Sequence, residues 1–384
     1  MQRQKEVHKI DRGFLILTIV LTIVGLLAVA DASAPQAQAF FHDSFFFVKQ
    51  QLIWALAGFI ALFVTANIPY HYWKKIAIYA FGINVILLIA VLIPSVGSRL
   101  LGARRWISFG PIVFQPSELV KFTLATYMAS LLSSKKRIFT YIIPLAVVAS
   151  LIMLQPDLGT TIVVIVVGFV QLFIAGVPML PFLGIGVGGG VVGAILILLS
   201  AYRKQRFLEF LKTTADPLGS SYHVRQVLIA LGSGGLFGVG LGQSRQKNLF
   251  LPESATDSVF AVIAEEIGFV GATLVIALLV FYLYRAVKIA QRAPDEFGTL
   301  LASGIIAWIG AQMFLNIGSM VAVIPLTGVP LPFFSYGGSS LTMILGGVGI
   351  LLNISKYSKS TIQLDSRRVK REKNMARRRH VHEQ

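Results

Sequence analysis

The sequence contains no cysteine, which excludes disulfides, thiolate catalysis and Cys-ligated zinc or iron–sulfur centres. Its six histidines (His8, His42, His71, His223, His380 and His382) show no metal-ligand spacing. Charge is scarce: 13% of the residues are charged, against about 25% in a typical soluble protein. Acidic groups are scarcest, 17 against 34 Lys and Arg, which leaves a formal net charge of +17. Apolar side chains are abundant instead, at 55% of the 384 residues and a mean hydropathy of +0.74. A soluble enzyme, a disordered chain, a collagen and a coiled coil are all excluded by that balance. The composition specifies an all-α polytopic membrane protein, and it explains the basic balance through lipid and topology, with no nucleic-acid partner.

About 20 apolar residues cross the ~30 Å hydrocarbon core as a helix. Ten spans are predicted, at 13–32, 51–67, 76–93, 114–134, 139–155, 158–177, 181–201, 259–284, 297–320 and 336–355. The basic start, apolar run and small residues near Ala28 and Ala30 resemble a signal peptide. The run over 13–30 is longer than the usual 7–15 residues, however, which favours a retained helix. With the N-terminus inside, the inner segments carry 22 Lys and Arg and the outer ones 11, as the positive-inside rule requires. Both termini are then cytoplasmic, and the longest loop, 202–258, lies outside between the seventh and eighth spans. Residues 1–355 form the predicted membrane domain. Residues 356–384 form a basic tail, net +7, expected to be disordered in isolation.

The outer segments hold the informative polar residues. Arg99, Arg104 and Arg105 sit in the loop after the third span, followed by Trp106, a candidate interfacial anchor or sugar-stacking ring. The long loop contributes Arg203, Lys204, Arg206, Lys212, Arg225, Arg245 and Lys247. Basic residues in a long loop can merely solvate it, but their number points to an anionic ligand. An amphipathic stretch from Tyr222 to Leu231 is suited to the interface. The glycine run from Gly232 to Gly242 lacks a preceding strand and a Gly-Lys-Ser/Thr ending, so it is not a P-loop. Gly184-Ile-Gly186-Val-Gly-Gly189 matches a dinucleotide fingerprint by chance, inside a span where small residues let helices approach.

Asp257 stands where the long loop meets the eighth span. A carboxylate there is placed to take a proton from a hydroxyl, or simply to cap the helix that follows. Glu265 and Glu266 fall in the first turns of that span, and Lys121 has Glu118 at i−3 as its evident partner. Pro325, Pro330 and Pro332, with Ser335 to Ser340, interrupt the chain before the last span, an irregularity tolerated only in a buried or cavity-lining position.

Several of these segments, in order, resemble the SEDS family (shape, elongation, division and sporulation) of polytopic peptidoglycan polymerases. They are Gly102-Ala-Arg-Arg-Trp106 with Gln115-Pro-Ser-Glu118, Gln155-Pro-Asp157-Leu-Gly-Thr160, Gly232-Ser-Gly-Gly235, Leu251-Pro-Glu253 through Asp257, and Pro330-Leu-Pro-Phe-Phe-Ser335-Tyr-Gly-Gly-Ser339-Ser340. The resemblance covers the chain to about residue 355. Ser244-Arg-Gln-Lys247 is closer to the division branch, whereas the 330–334 segment is shared with the elongation branch. One departure is Ala255, where the family often has His two residues before the loop aspartate.

The resemblance implies an inverting glycosyltransferase that polymerises lipid II, with Asp257 as the base. Arg105, Trp106, Lys121, Arg203, Arg206, Arg245, Lys247, Glu253 and Ser339 become candidate substrate-binding residues. It also implies a divalent cation, Mg or Mn, bridging phosphates, and no organic cofactor. The implied partners are a class B penicillin-binding transpeptidase, other division-site membrane proteins, undecaprenyl-diphosphate-linked glycan and membrane lipids. The implied location is the bacterial cytoplasmic membrane at the septum. Two rival readings are a lipid II flippase and a recruiting scaffold. The first expects charge through the middle of the bundle, whereas here the polar groups Asp157, Arg203, Glu253 and Asp257 gather at the ends of spans. The second leaves Asp257 and the loop arginines without a role.

Overall fold

The computed structural model describes residues 10–100, 103–109, 112–134, 139–199, 208 and 222–357. The basic tail beyond 357, the 135–137 turn and the loop positions Arg203 and Arg206 lie outside the described residues.

Eleven helices are described: α1 (Arg12–Phe41), α2 (Phe46–Asn67), α3 (His71–Leu92), α4 (Pro116–Leu132), α5 (Phe139–Leu154), α6 (Leu158–Ile174), α7 (Met179–Leu199), α8 (Tyr222–Ser233), α9 (Val259–Gln291), α10 (Glu296–Met320) and α11 (Gly338–Lys356). All but α8 coincide with the ten predicted apolar runs. Six of them (α1, α2, α3, α9, α10 and α11) are long and apolar enough to cross a membrane unaided. Helices α4, α5 and α6 have 16 or 17 residues, about 25 Å at 1.5 Å per residue. The exposed faces of α2 and α3 are hydrophobic, with Leu56, Phe63, Tyr79 and Ile86 each more than 60% accessible. Such a face is stable only against lipid or another apolar surface. The chain is a multi-pass membrane protein.

The all-α expectation needs one correction. The segment between α3 and α4 forms a three-stranded antiparallel meander, β1 (Gly97–Leu100), β2 (Ala103–Phe109) and β3 (Ile112–Phe114), in the order β1-β2-β3. Trp106 pairs with Ser98, and Ile107 with both Gly97 and Phe114. β-Branched and aromatic residues over 106–114 favour a pleated ribbon over a helix.

Helix α11 is the axis of the bundle, buried along nearly its whole length and laid close against α2. Glycines make that approach possible: a Cβ on Gly349 would stand 2.0 Å from Thr65 Oγ1. The Thr65 hydroxyl instead donates to the Gly346 carbonyl at 2.8 Å. Close packing through small residues, with a hydroxyl hydrogen bond across the seam, is how helices associate where lipid supplies no hydrophobic drive.

The two ends of the bundle differ. At one end the described chain both begins and finishes, for the Asp11 N–H donates to Ser355 Oγ at 3.1 Å. Arg285 pairs with Asp11 there, and Asp295, which caps α10, accepts from Tyr70 Oη at 2.7 Å. Burial opposes the charge on Asp295, but the Gly298 N–H, the Tyr70 hydroxyl and His71 outweigh it and hold the carboxyl below its ordinary range. The other end carries the β-meander, α8 and the segments before α9 and α11, and there the bundle opens into a cavity.

Candidate active site

The starts of α9, α6 and α11 and the strand β2 enclose a cavity of about 1060 Å³. Asp257 and Glu253 line it from the segment before α9, Arg105 and Trp106 from β2, and Ser339 from the first turn of α11. Asp157, Glu118, His223, Asn316 and Tyr336 face the same space. Ile162, Ile165, Leu315 and Met320 make its apolar wall.

Asp257 does not cap α9. The N-cap position is Ser258, whose hydroxyl lies 2.8 Å from His223 Nε2. The half-buried Asp257 is held by its backbone: Asn316 Nδ2 donates to the Asp257 carbonyl at 2.8 Å and to the Val329 carbonyl at 2.9 Å. One buried amide thus ties the aspartate segment to the proline-interrupted segment before α11. A second tie runs from the Tyr336 N–H to the Ala255 carbonyl at 2.8 Å. The carboxylate lies beside Gly328, where a Cβ would come within 3.4 Å of Oδ2. Glu253 sits four residues earlier in the left-handed region, φ 53°, and its carboxylate accepts from Thr256 Oγ1 at 2.8 Å. Backbone held in that region is the kind of local strain that clusters at functional sites.

The expected basic residues are not all brought to the cavity. Arg105 is: its Nε donates to the Gln155 carbonyl at 2.9 Å and its other arm to Pro156, which staples the meander to the α5–α6 turn. Lys121 is buried at 1% exposure and pairs with Glu118 at 2.7 Å, with its ammonium 5.7 Å from the Trp308 ring. Glu118 reaches the cavity wall while Lys121 stays behind it. Lys247 is buried away from the cavity between Asp31 at 2.6 Å and Glu266 at 2.8 Å. Burial disfavours its charge, but the hydrogen bonds to those two carboxylates prevail and raise its pKa. Arg245 is anchored through its backbone N–H, 3.2 Å from Glu265 Oε1.

That second cluster explains the glycine run. Helix α9 is broken at Gly268, φ 69°, and the backbone of 235–240 fills the gap. The N–H groups of Val239 and Gly240 donate to the carbonyls of Glu265 and Glu266, and those of Phe269 and Val270 to Gly235 and Leu236. A Cβ on Gly238 would stand 2.0 Å from the Glu266 carbonyl oxygen, so the splint requires glycine. The loop is a structural brace for a kinked helix, with Ser244 and Lys247 satisfying the two glutamates that the kink buries.

Sequence reasoning passed over His223 and Asn316. Asn316 had a readable signal, since Trp308, Gln312 and Asn316 form a polar stripe at i, i+4 and i+8 on an otherwise apolar helix. Among the described residues, no three His, Asp or Glu side chains come together in a way that could hold a metal ion. Those residues alone form no cage for the expected divalent cation.

This architecture has known counterparts. The family model for the FtsW, RodA and SpoVE cell cycle proteins matches residues 11–360. The chain belongs to that family. The stage V sporulation protein E of Bacillus subtilis is 44% identical over 91% of this chain and 98% of its own length. The probable peptidoglycan glycosyltransferase FtsW of Geobacter sp. strain M18 is 37% identical over 91% and 98%, and that of Coxiella burnetii 40% identical over 90% and 96%. Among solved structures, a chain of a peptidoglycan synthase complex that coordinates polymerization and crosslinking superimposes with a TM-score of 0.73 at 29% identity, over 90% of this chain and 98% of that one. The rod shape determining protein RodA of Thermus thermophilus gives 0.68 at 28% identity, over 91% and 98%.

Proposed function

We propose that this FtsW/RodA/SpoVE-family protein is a peptidoglycan glycosyltransferase that polymerises lipid II, with Asp257 as the general base. The observation that carries the reading is the fixed position of Asp257 on the wall of a large, partly apolar cavity at one end of a membrane bundle. The 4-hydroxyl of the acceptor N-acetylglucosamine attacks the anomeric carbon of the lipid-diphosphate-linked donor. The new O–C bond forms as the C–O bond to the diphosphate breaks, the proton passes to Asp257, and one displacement inverts the α-linkage to β-1,4. Arg105, Trp106, Glu253 and Ser339 bind substrate in this scheme, and the apolar wall receives the prenyl chain. Lys121 and Lys247 act from behind, through the carboxylates they pair with, and Arg203, Arg206 and Arg245 belong to the substrate-binding set by resemblance. A divalent cation bound with the substrate's diphosphates would lessen their charge.

In this reading ten helices span the bilayer, both termini are cytoplasmic, and the cavity end faces outward with the 202–258 loop. The excess of Lys and Arg on the opposite side supports that orientation. The partner is a class B penicillin-binding transpeptidase that crosslinks the product, and the likeness to Geobacter and Coxiella FtsW favours a septal role with other division-site membrane proteins. The test is incubation of purified full-length protein, with such a transpeptidase, on lipid II. Glycan polymer is expected. Translocation of lipid II across liposomes without polymer would replace the enzyme with a transporter.

A further inference from the structure

Resting on that reading of the cavity, we propose that His223 is a substrate-binding residue that presents a switchable positive charge to the diphosphate of the lipid-linked sugar. His223 is the second residue of α8, half-buried, and lines the cavity that holds Asp257. Its Nε2 lies 2.8 Å from the hydroxyl of Ser258, the residue after Asp257. A serine hydroxyl can donate to a neutral ring nitrogen or accept from a protonated one. This hydrogen bond to Ser258 therefore survives titration of the ring. An unperturbed imidazole titrates near pH 6.5.

Positive charge is scarce among the described residues of this cavity. The charged groups that share it with His223 are Asp257 and Glu253 from the segment before α9, Asp157 at the start of α6, Glu118 of α4 and Arg105 of β2. Helix α10 contributes the uncharged Asn316 and Ser319, and α8 itself carries Arg225. Among the described lining residues, four carboxylates, one of them already paired with Lys121, face one guanidinium, a poor receptor for a diphosphate. That guanidinium already donates to the carbonyls of Gln155 and Pro156. Lys121 and Lys247 are committed to Glu118 and to Asp31 with Glu266. An imidazolium fixed beside Asp257 adds attraction for the diphosphate at the reacting end. Substrate affinity, rather than turnover, then falls as the ring loses its proton.

The experiment measures KM and kcat for lipid II between pH 5.5 and 8.5, using the full chain with its transpeptidase, for wild type, His223→Gln and His223→Lys. The diphosphate of lipid II is diesterified and keeps its charge over this range, so a pH slope reports the protein. Wild-type KM is expected to rise roughly tenfold, the scale of one hydrogen bond to a charged group, with a smaller change in kcat. His223→Gln retains hydrogen bonding to Ser258 and should show a high KM without the slope; His223→Lys should show a low KM without it. Direct binding of lipid II to the Asp257→Asn protein in nanodiscs repeats the comparison without chemistry. A wild-type slope persisting in His223→Gln, in KM and in binding, overturns the proposal, as does a loss confined to kcat. A proton-dependent binding step lost in His223→Gln, in a protein that makes no polymer, would retain the subsite and discard the glycosyltransferase reading.

Discussion

Two aspartates of the cavity wall each stand at the start of a helix, and the chain uses them differently. Asp157 is the N-cap of α6: one carboxylate oxygen accepts from the Thr160 N–H at 3.0 Å and the other from its hydroxyl at 2.9 Å. Asp257 stands one residue ahead of the N-cap position, which Ser258 occupies without a side-chain capping bond, and it is fixed through its backbone carbonyl by Asn316. Asp157 spends both oxygens on its own helix start, whereas Asp257 is positioned through its backbone carbonyl. Residue type and proximity to a helix start do not separate a structural carboxylate from a chemical one. The way each residue is held does.

Substitutions that treat the two alike should expose the difference. Asp257→Asn keeps the shape and removes the base, so polymerisation should fall about 10²–10⁴-fold, the usual range for a general base, with little change in thermal stability. Next in size is Lys247→Met, which leaves the buried Glu266 and the half-buried Asp31 without their counter-ion. Breaking a buried pair from one side costs about 3–5 kcal/mol, so this variant should lose stability in thermal or denaturant unfolding, and activity only as folded protein is lost. Asn316→Ala cuts the link between the Asp257 and Val329 carbonyls. Here kcat should drop roughly tenfold, for a lost hydrogen bond is worth about 1–1.5 kcal/mol, and lipid II binding should hardly move. Asp157→Ala should have the smallest effect, a loss of about 1 kcal/mol for an N-cap, seen in unfolding with most of the polymerisation retained.

The sequence displays the helices far better than what holds the site. Apolar runs foretold α10 as 297–320 against an observed Glu296–Met320, because lipid selects for length and hydropathy that a single pass along the chain reveals. The β-meander escaped because its strands have only four, seven and three residues, too short for a period-2 pattern to stand out. Lys247 read as a diphosphate ligand because its partners Asp31 and Glu266 lie 216 and 19 residues away in sequence. The glycine run read as no P-loop and, at Gly232 to Gly235, as a family signal, but not as the backbone splint for a kink that only the fold creates. Glu118 and Lys121, by contrast, were legible as a pair because i,i+3 spacing on a helix is a local geometry.

The most direct measurement sets Asp257→Asn beside Asp157→Asn, each matched to wild type in folded protein and supplied with lipid II and the partner transpeptidase. Glycan polymer should persist in the second variant and fall below a hundredth of the wild-type rate in the first. Equal activity in the two, or polymer from Asp257→Asn at the wild-type rate, would contradict the assignment of the base.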